Sequence, residues 1–292
     1  SSFCINSTYN TLPSPSNLVR WGLEENSSCN LCNLNNSTVA HILSACKISL
    51  NQGRYTYRHD SVLCEFFKIL KDFLSSYTPS KKGNLNTIKF VRPGFKSNKT
   101  EYSNVGLLHL AGDWQVLSDL DSSLVVPSFL AVTTLRPDVL IFSSSTRSVL
   151  ILELTCPCEE NMEYWHSQKR DKYVSLCSQI KSNGWAAHFF AIEVGARGYC
   201  SESVRYCLKR LGFQNKLCRS TLKSLSLTSL RSSFYIWLSR NTRVWNKQQD
   251  CNTFENFKIT KKANSGKKQT SLSSSQNTSG QNTSKSSFPN KF

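Results

Sequence analysis

Arg136-Pro137-Asp138-Val139-Leu140-Ile141-Phe142, the polar run Ser143 to Arg147, then Ser148-Val149-Leu150-Ile151-Leu152-Glu153-Leu154-Thr155 is the stretch whose reading decides the fold. Successive side chains of a strand point to opposite faces, so Val149, Ile151, Glu153 and Thr155 share one face while Leu150, Leu152 and Leu154 share the other. A segment apolar on both faces suits a central strand covered on both sides. Glu153 is the exception in it: a carboxylate buried alone is costly, so an acid here calls for a cation, a metal or a cleft. Val139 to Phe142 reads as a second strand, and the polar connection between the two predicts an antiparallel hairpin. Such a hairpin brings Asp138 near Glu153, and two carboxylates so placed repel unless a divalent cation lies between them.

A helix follows from about Asn161. Met162, Trp165, Lys169, Lys172 or Tyr173, Leu176 and Ile180 recur at steps of three and four, which is one helix face. Lys169 and Lys172 lie on or beside the stripe that packs on the sheet. Either their ammonium groups reach the Glu153 site, or both side chains run from the edge of the stripe to water.

Arg136-Pro137-Asp138, Glu153-x-Thr155 and Lys169-x-x-Lys172-Tyr173, in this order, resemble the restriction-like endonuclease of the PD-(D/E)xK superfamily. The closer resemblance is to the variant at the C-terminus of site-specific non-LTR retrotransposon proteins. In most superfamily members a lysine stands two residues after the second acid. That position is Thr155 here, and the lysine looks displaced onto the following helix, as in the retrotransposon variant. The resemblance implies an α/β fold with a mixed sheet and flanking helices, and metal-dependent cleavage of DNA. Asp138, Glu153 and a main-chain carbonyl near Thr155 would hold Mg²⁺ or Mn²⁺. Lys169 or Lys172 would serve the transition state with Tyr173 assisting, and Arg136 would contact nucleic acid. It further implies a nuclear location, a nick that primes reverse transcription, and DNA, element RNA and a polymerase domain as partners.

The totals agree with a polyanionic partner. The chain of 292 residues carries a net charge of +17, which favours phosphate neutralisation and counterion release, with an anionic membrane as second choice. No apolar run approaches the length of a membrane span, since Val125 to Phe142 is broken by Pro127, Arg136, Pro137 and Asp138. The N-terminal stretch shows no secretory pattern. Twelve irregularly spaced cysteines therefore read as reduced thiols plus a metal site rather than a disulfide framework.

That metal site is Cys29-x2-Cys32-x8-His41-x4-Cys46, a set of thiols and one imidazole suited to tetrahedral Zn²⁺. Its long Cys-to-His gap resembles the retrotransposon knuckle more than the retroviral one. A fold so small is expected to depend on its metal. Next, Arg54-Tyr55-Thr56-Tyr57-Arg58-His59-Asp60 interleaves basic and aromatic residues. Arg54, Arg58 and His59 can bind phosphates and stack on bases, and the segment resembles the family's Arg-His motif. The structural alternative has the aromatics packing and Asp60 capping a helix over about 61–75.

Ser1 to Leu23 lacks an initial Met and resembles the segment that joins a polymerase thumb to the zinc module, so it reads as the continuation of a longer chain. No Asp-Asp pair is present, and polymerase activity is not expected. Residues 78–100 read as a linker. Asp113 to Asp119 reads as a short strand and Ala187 to Val194 as a buried one, with Glu193 either reaching the site or, as the favoured reading, pairing to Arg197 across a glycine turn. Arg231, Arg240, Arg243 and Lys247 mark either a DNA-binding or a merely solvated basic aromatic face. The tail 248–292 is too polar to fold. The expected order is therefore a zinc-knuckle and helix module over 1–77, a linker over 78–100, an endonuclease-like domain over 101–247 and a disordered basic tail. Two other classes compete: a catalytically inactive nucleic-acid-binding fragment, and a host-adopted interaction protein that keeps only the fold.

Overall fold

The computed structural model describes residues 2–76, 106–120 and 124–245, all within one compact unit, Ser1–Ile259. The expected linker and tail, with Lys247, lie outside the described residues.

The quoted stretch forms the middle of a mixed four-stranded sheet in the order β1-β2-β3-β4. These strands are β1 (Gln115–Ser118), β2 (Val139–Ser143), β3 (Ser148–Thr155) and β4 (Ala186–Glu193). β1 and β2 pair antiparallel, as do β2 and β3, with Val139 opposite Leu152. β3 and β4 pair parallel, with Glu153 opposite Ala191 and Thr155 opposite Glu193. Parallel neighbours need a crossover, and α5 (Met162–Ser182) supplies it.

The parity of β3 sorts its residues between two cores. Val149 and Ile151 pack with Tyr173, Leu176 and Ile180 of α5. Leu150, Leu152 and Leu154 pack on the opposite side with Phe66 and Leu70 of α4 (Arg54–Ser76), Leu208 and Leu211 of α6 (Glu202–Leu211) and Leu225 of α7 (Asn215–Leu238). With helices on both faces, an almost continuous apolar strand is what the environment asks for. Within α5, Tyr173 rather than Lys172 occupies the buried stripe, and Trp165 is exposed.

The N-terminal segment is built onto the same body. Short helices α1 (Ser2–Thr8), α2 (Pro15–Arg20) and α3 (Lys47–Asn51) and a π-helical turn His41–Ala45 precede α4. Phe3, Leu12, Val39, Ile42 and Leu43 share a third core with Ala196 and with Ile236 and Trp237 of α7. α4 itself begins at Arg54, earlier than the expected 61, so Asp60 lies inside the helix and does not cap it. After β4 the chain turns at Gly198, whose φ of +88° falls in the left-handed region that glycine occupies without strain. Among the described residues no helix is long and apolar enough to cross a membrane.

Candidate active site and metal centre

The hairpin sets Asp138, just before β2, beside Glu153 near the end of β3. The Asp138 N–H donates to Glu153 Oε2 at 3.3 Å, and Asp138 Oδ2 accepts from the Leu154 N–H at 2.6 Å. Glu153 is buried, and from α5 Lys169 Nζ donates to its Oε1 at 2.6 Å. Lys172 Nζ stands 3.9 Å from the same oxygen, with a more exposed side chain, and lies over the Tyr173 ring. Lys169 is therefore the lysine that meets the acids. Burial raises the Glu153 carboxyl above its ordinary value, Asp138 adds to the rise, and Lys169 opposes it.

Tyr173 is fully buried, stacked on Phe189, and its hydroxyl donates to the Arg136 carbonyl at 2.9 Å. Burial and the neighbouring carboxylates raise its phenol far above the ordinary value. It holds the entry to β2 in position, while the Arg136 side chain is exposed. Of the main-chain carbonyls near Thr155, that of Leu154 lies 3.2 Å from His59 Nε2, which also meets Asp138, whereas that of Thr155 accepts from the Val194 N–H at 3.0 Å. Thr155 Oγ1, on the Glu153 face of the strand, is buried with no hydrogen-bond partner among the described residues. A buried hydroxyl without a partner is a position that water or a ligand oxygen would satisfy.

α4 delivers a further group. His59 Nε2 lies 3.3 Å from Asp138 Oδ2 and 3.2 Å from the Leu154 carbonyl oxygen, and its Nδ1 lies 3.2 Å from Asp60 Oδ1. Both ring nitrogens face acceptors, so the imidazole donates from both sides and carries a charge. Burial alone would lower its pKa, but Asp138 and Asp60 outweigh that and raise it to about 10. His59 thus belongs to the acid cluster rather than to an outer phosphate-binding surface.

Arg54 and Arg58, expected as nucleic-acid contacts, are buried structural residues. Arg54 donates to Gln52 Oε1 and to the carbonyls of Ser239 and Thr242, with its guanidinium over the Trp245 ring. Arg58 donates to the Leu43 carbonyl at 2.7 Å, to Ser233 Oγ and to the Cys156 carbonyl at 2.7 Å. Buried on internal carbonyls, neither guanidinium is open to a phosphate. The signal was present in the spacing: Arg54, Arg58, Val62, Phe66 and Leu70 follow one another at steps of four, so both arginines head the buried stripe of α4. The expected Glu193–Arg197 pair is also absent, because Arg197 turns to Glu160 at 2.7 Å and Glu159 at 3.6 Å.

No protein-family model matches the chain, and no curated protein matches its sequence.

The second centre is local. Cys29, Cys32, His41 and Cys46 bring one donor atom each to within 4.8 Å of one another, an arrangement that can hold a metal ion such as zinc. Asn33, with a φ of +58°, turns the chain after Cys32. His41 heads the π-helical turn, and Cys46 ends it at the start of α3. Tyr55 of α4 ties the module down: its hydroxyl donates to the Ile42 carbonyl and accepts from the Cys46 N–H. Burial lowers the His41 pKa, which favours the neutral imidazole that ligates metals.

Proposed function

We propose that this chain is a metal-dependent DNA endonuclease of the restriction-like type, with Zn²⁺ in the Cys29, Cys32, His41 and Cys46 centre. The observation that carries the reading is the meeting of Asp138 and Lys169, from a hairpin and a crossover helix, at the Glu153 carboxylate. The donors suit a hard cation: a carboxylate oxygen from each acid and the Leu154 carbonyl offer oxygen ligands, and Mg²⁺ or Mn²⁺ fills the rest of its shell with water. A cation held there supplies a polarised water and neutralises charge on the scissile phosphate.

The chain's own groups do the remainder. Glu153 and Asp138 would hold the cation. Lys169, fixed on Glu153, aims its ammonium at a phosphate oxygen as charge develops there. Lys172, farther out, meets the approaching backbone. Tyr173 keeps the Arg136 to Asp138 segment in register with β3. A net charge of +17 draws the polyanion in. By its resemblance to the retrotransposon variant, cleavage would serve integration in the nucleus, with element RNA and a polymerase as further partners.

One observation favours a second reading, a nucleic-acid-binding protein that does not cut. His59 Nε2 lies on Asp138 Oδ2 and the Leu154 carbonyl, the very oxygens a cation would need. The test is nicking of supercoiled plasmid by the purified full chain with Mg²⁺ or Mn²⁺, beside Asp138→Ala and His59→Ala. The endonuclease reading expects metal-dependent nicking that Asp138→Ala abolishes and His59→Ala preserves. A folded wild type that binds DNA but nicks with neither metal would favour the second reading, and nicking gained only in His59→Ala would show His59 to be the block.

A further inference from the structure

Beside the acid centre, along the free edge of β4, a cavity of about 470 Å³ opens between α5 and α6. That size falls within the range of roughly 300–1,000 Å³ usual for small-ligand sites. His166, Arg170, Phe190, Tyr206, Ser203 and Glu202 are among its walls. It adjoins the proposed cleavage centre in two ways. Ala191, also in its wall, stands opposite Glu153 in the β3–β4 register. On α5, His166 lies one turn before Lys169, on the same helix face.

Beneath it lies a buried acid with no part in the cleavage chemistry. Glu193 is 2 % exposed, and it accepts from Ser201 Oγ at 2.9 Å and Ser203 Oγ at 2.6 Å. His166 Nδ1 is 2.9 Å from Glu193 Oε1. A carboxylate on Nδ1 holds the ring in place and leaves Nε2 as the nitrogen that can meet another group. Above it, Tyr206 and Phe190 hold their rings 6.3 Å apart, and Tyr206 is 58 % exposed.

We propose that this cavity is a nucleobase subsite, which takes one unstacked base of the strand being cut, stacks it on Tyr206 and holds its edge with His166. The proposal rests on the endonuclease reading for the identity of its strand, and on the cavity for the rest. A phosphate is disfavoured as occupant because Glu202 lines the cavity and Glu193 lies under it. Aromatic walls with one oriented ring nitrogen suit a flat, neutral ring, since every base offers a π-face to stack. Arg170, also in the wall, is placed for the backbone phosphate of the same nucleotide.

The test uses the full chain and a thymine-rich single-stranded oligonucleotide carrying 2-aminopurine, an amino-bearing fluorescent base, with binding and fluorescence read in EDTA so that no cleavage is required. Wild type is expected to change the 2-aminopurine emission on binding. Tyr206→Ala should lose that change and weaken binding about tenfold, the ordinary worth of one stacked base, while Tyr206→Phe keeps both. His166→Ala should reduce the emission change. Because emission is read in EDTA, the outcome does not depend on whether the wild type nicks plasmid, which separates this proposal from the cleavage reading. Emission that responds equally in wild type and Tyr206→Ala, or a strand that binds with no emission change, overturns the subsite. Failure of the strand to bind at all overturns it together with the endonuclease reading.

Discussion

The two centres of this protein are built in opposite ways. The four ligands of the Cys/His centre come from one run of chain, Cys29 to Cys46, closed by turns of its own. The acid centre gathers Asp138 and Glu153 from a hairpin, Lys169 from the crossover helix and His59 from a helix 79 residues upstream of Asp138. The first can hold a metal ion. The second needs the whole sheet. Yet one side chain spans them: Arg58 holds the carbonyl of Leu43, inside the turn that His41 heads, and the carbonyl of Cys156, just past β3. The contrast between a local and a distributed site therefore stops at α4, which carries both Arg58 and His59.

The sharpest test of the distributed site is Glu153→Ala. If the acids act together, plasmid nicking should fall about 10³-fold, a loss of the size found on removing a group that stabilises the transition state, while DNA binding at moderate salt stays within about twofold. Equal loss of binding would make Glu153 a folding residue instead. The lever that joins the two sites is Arg58→Met. It strands two buried carbonyls, and the expected loss is about 3 kcal/mol in chemical denaturation. The variant should also release zinc to a chelator more readily than wild type, measured with a colorimetric indicator. Conversely, chelation of wild-type protein should lower its melting temperature and its nicking together, since the Leu43 carbonyl that anchors Arg58 belongs to the metal module. Nicking that survives complete zinc removal would make the centres independent.

The two lysines offer a finer comparison. Lys169→Ala should slow nicking about 10²-fold, whereas Lys172→Ala, 3.9 Å from Glu153 and closer to solvent, should cost less than about tenfold. Single-turnover rates at saturating protein would separate the two. The smallest effect expected concerns Asp113, away from both sites. Partial burial would raise its carboxyl, but hydrogen bonds from Ser143, Ser145 and the Ser145 N–H prevail and hold it at about 2, below the ordinary 3.8. A depressed carboxylate contributes stability above its unfolded pKa and loses it as pH falls through the folded one, so its share fades between about pH 4 and pH 2. Asp113→Asn should remove that dependence at a cost under about 1 kcal/mol, because the group is largely exposed.

How far the sequence could be read depended on distance along the chain. The hairpin, the central strand and the α5 stripe were legible because periods of 2 and 3.6 are properties of neighbouring residues. The Cys/His spacing was legible for the same reason. The choice between Lys169 and Lys172 was not, since both lie within one turn and only the rotation of α5 against β3 decides which ammonium reaches Glu153. Arg54 and Arg58 were read as phosphate ligands because a positive charge near tyrosines is the usual mark of a nucleic-acid surface. Burial, which no local pattern of charge announces, made them struts.

By itself, then, the sequence determined the two strands of the hairpin and the buried stripe of α5, which face of β3 bears the acid and which four residues can ligate a metal. Each of these follows from backbone geometry and donor chemistry within a short run of chain. Only the tertiary structure decided that His59 joins Asp138, that Arg58 ties the two centres together, and that His166 leans on Glu193 beside an open cavity. Those partners lie 79, 98 and 27 residues apart. Their meeting is set by how α4 and α5 pack on opposite faces of one sheet, a matter of long-range burial rather than of local pattern.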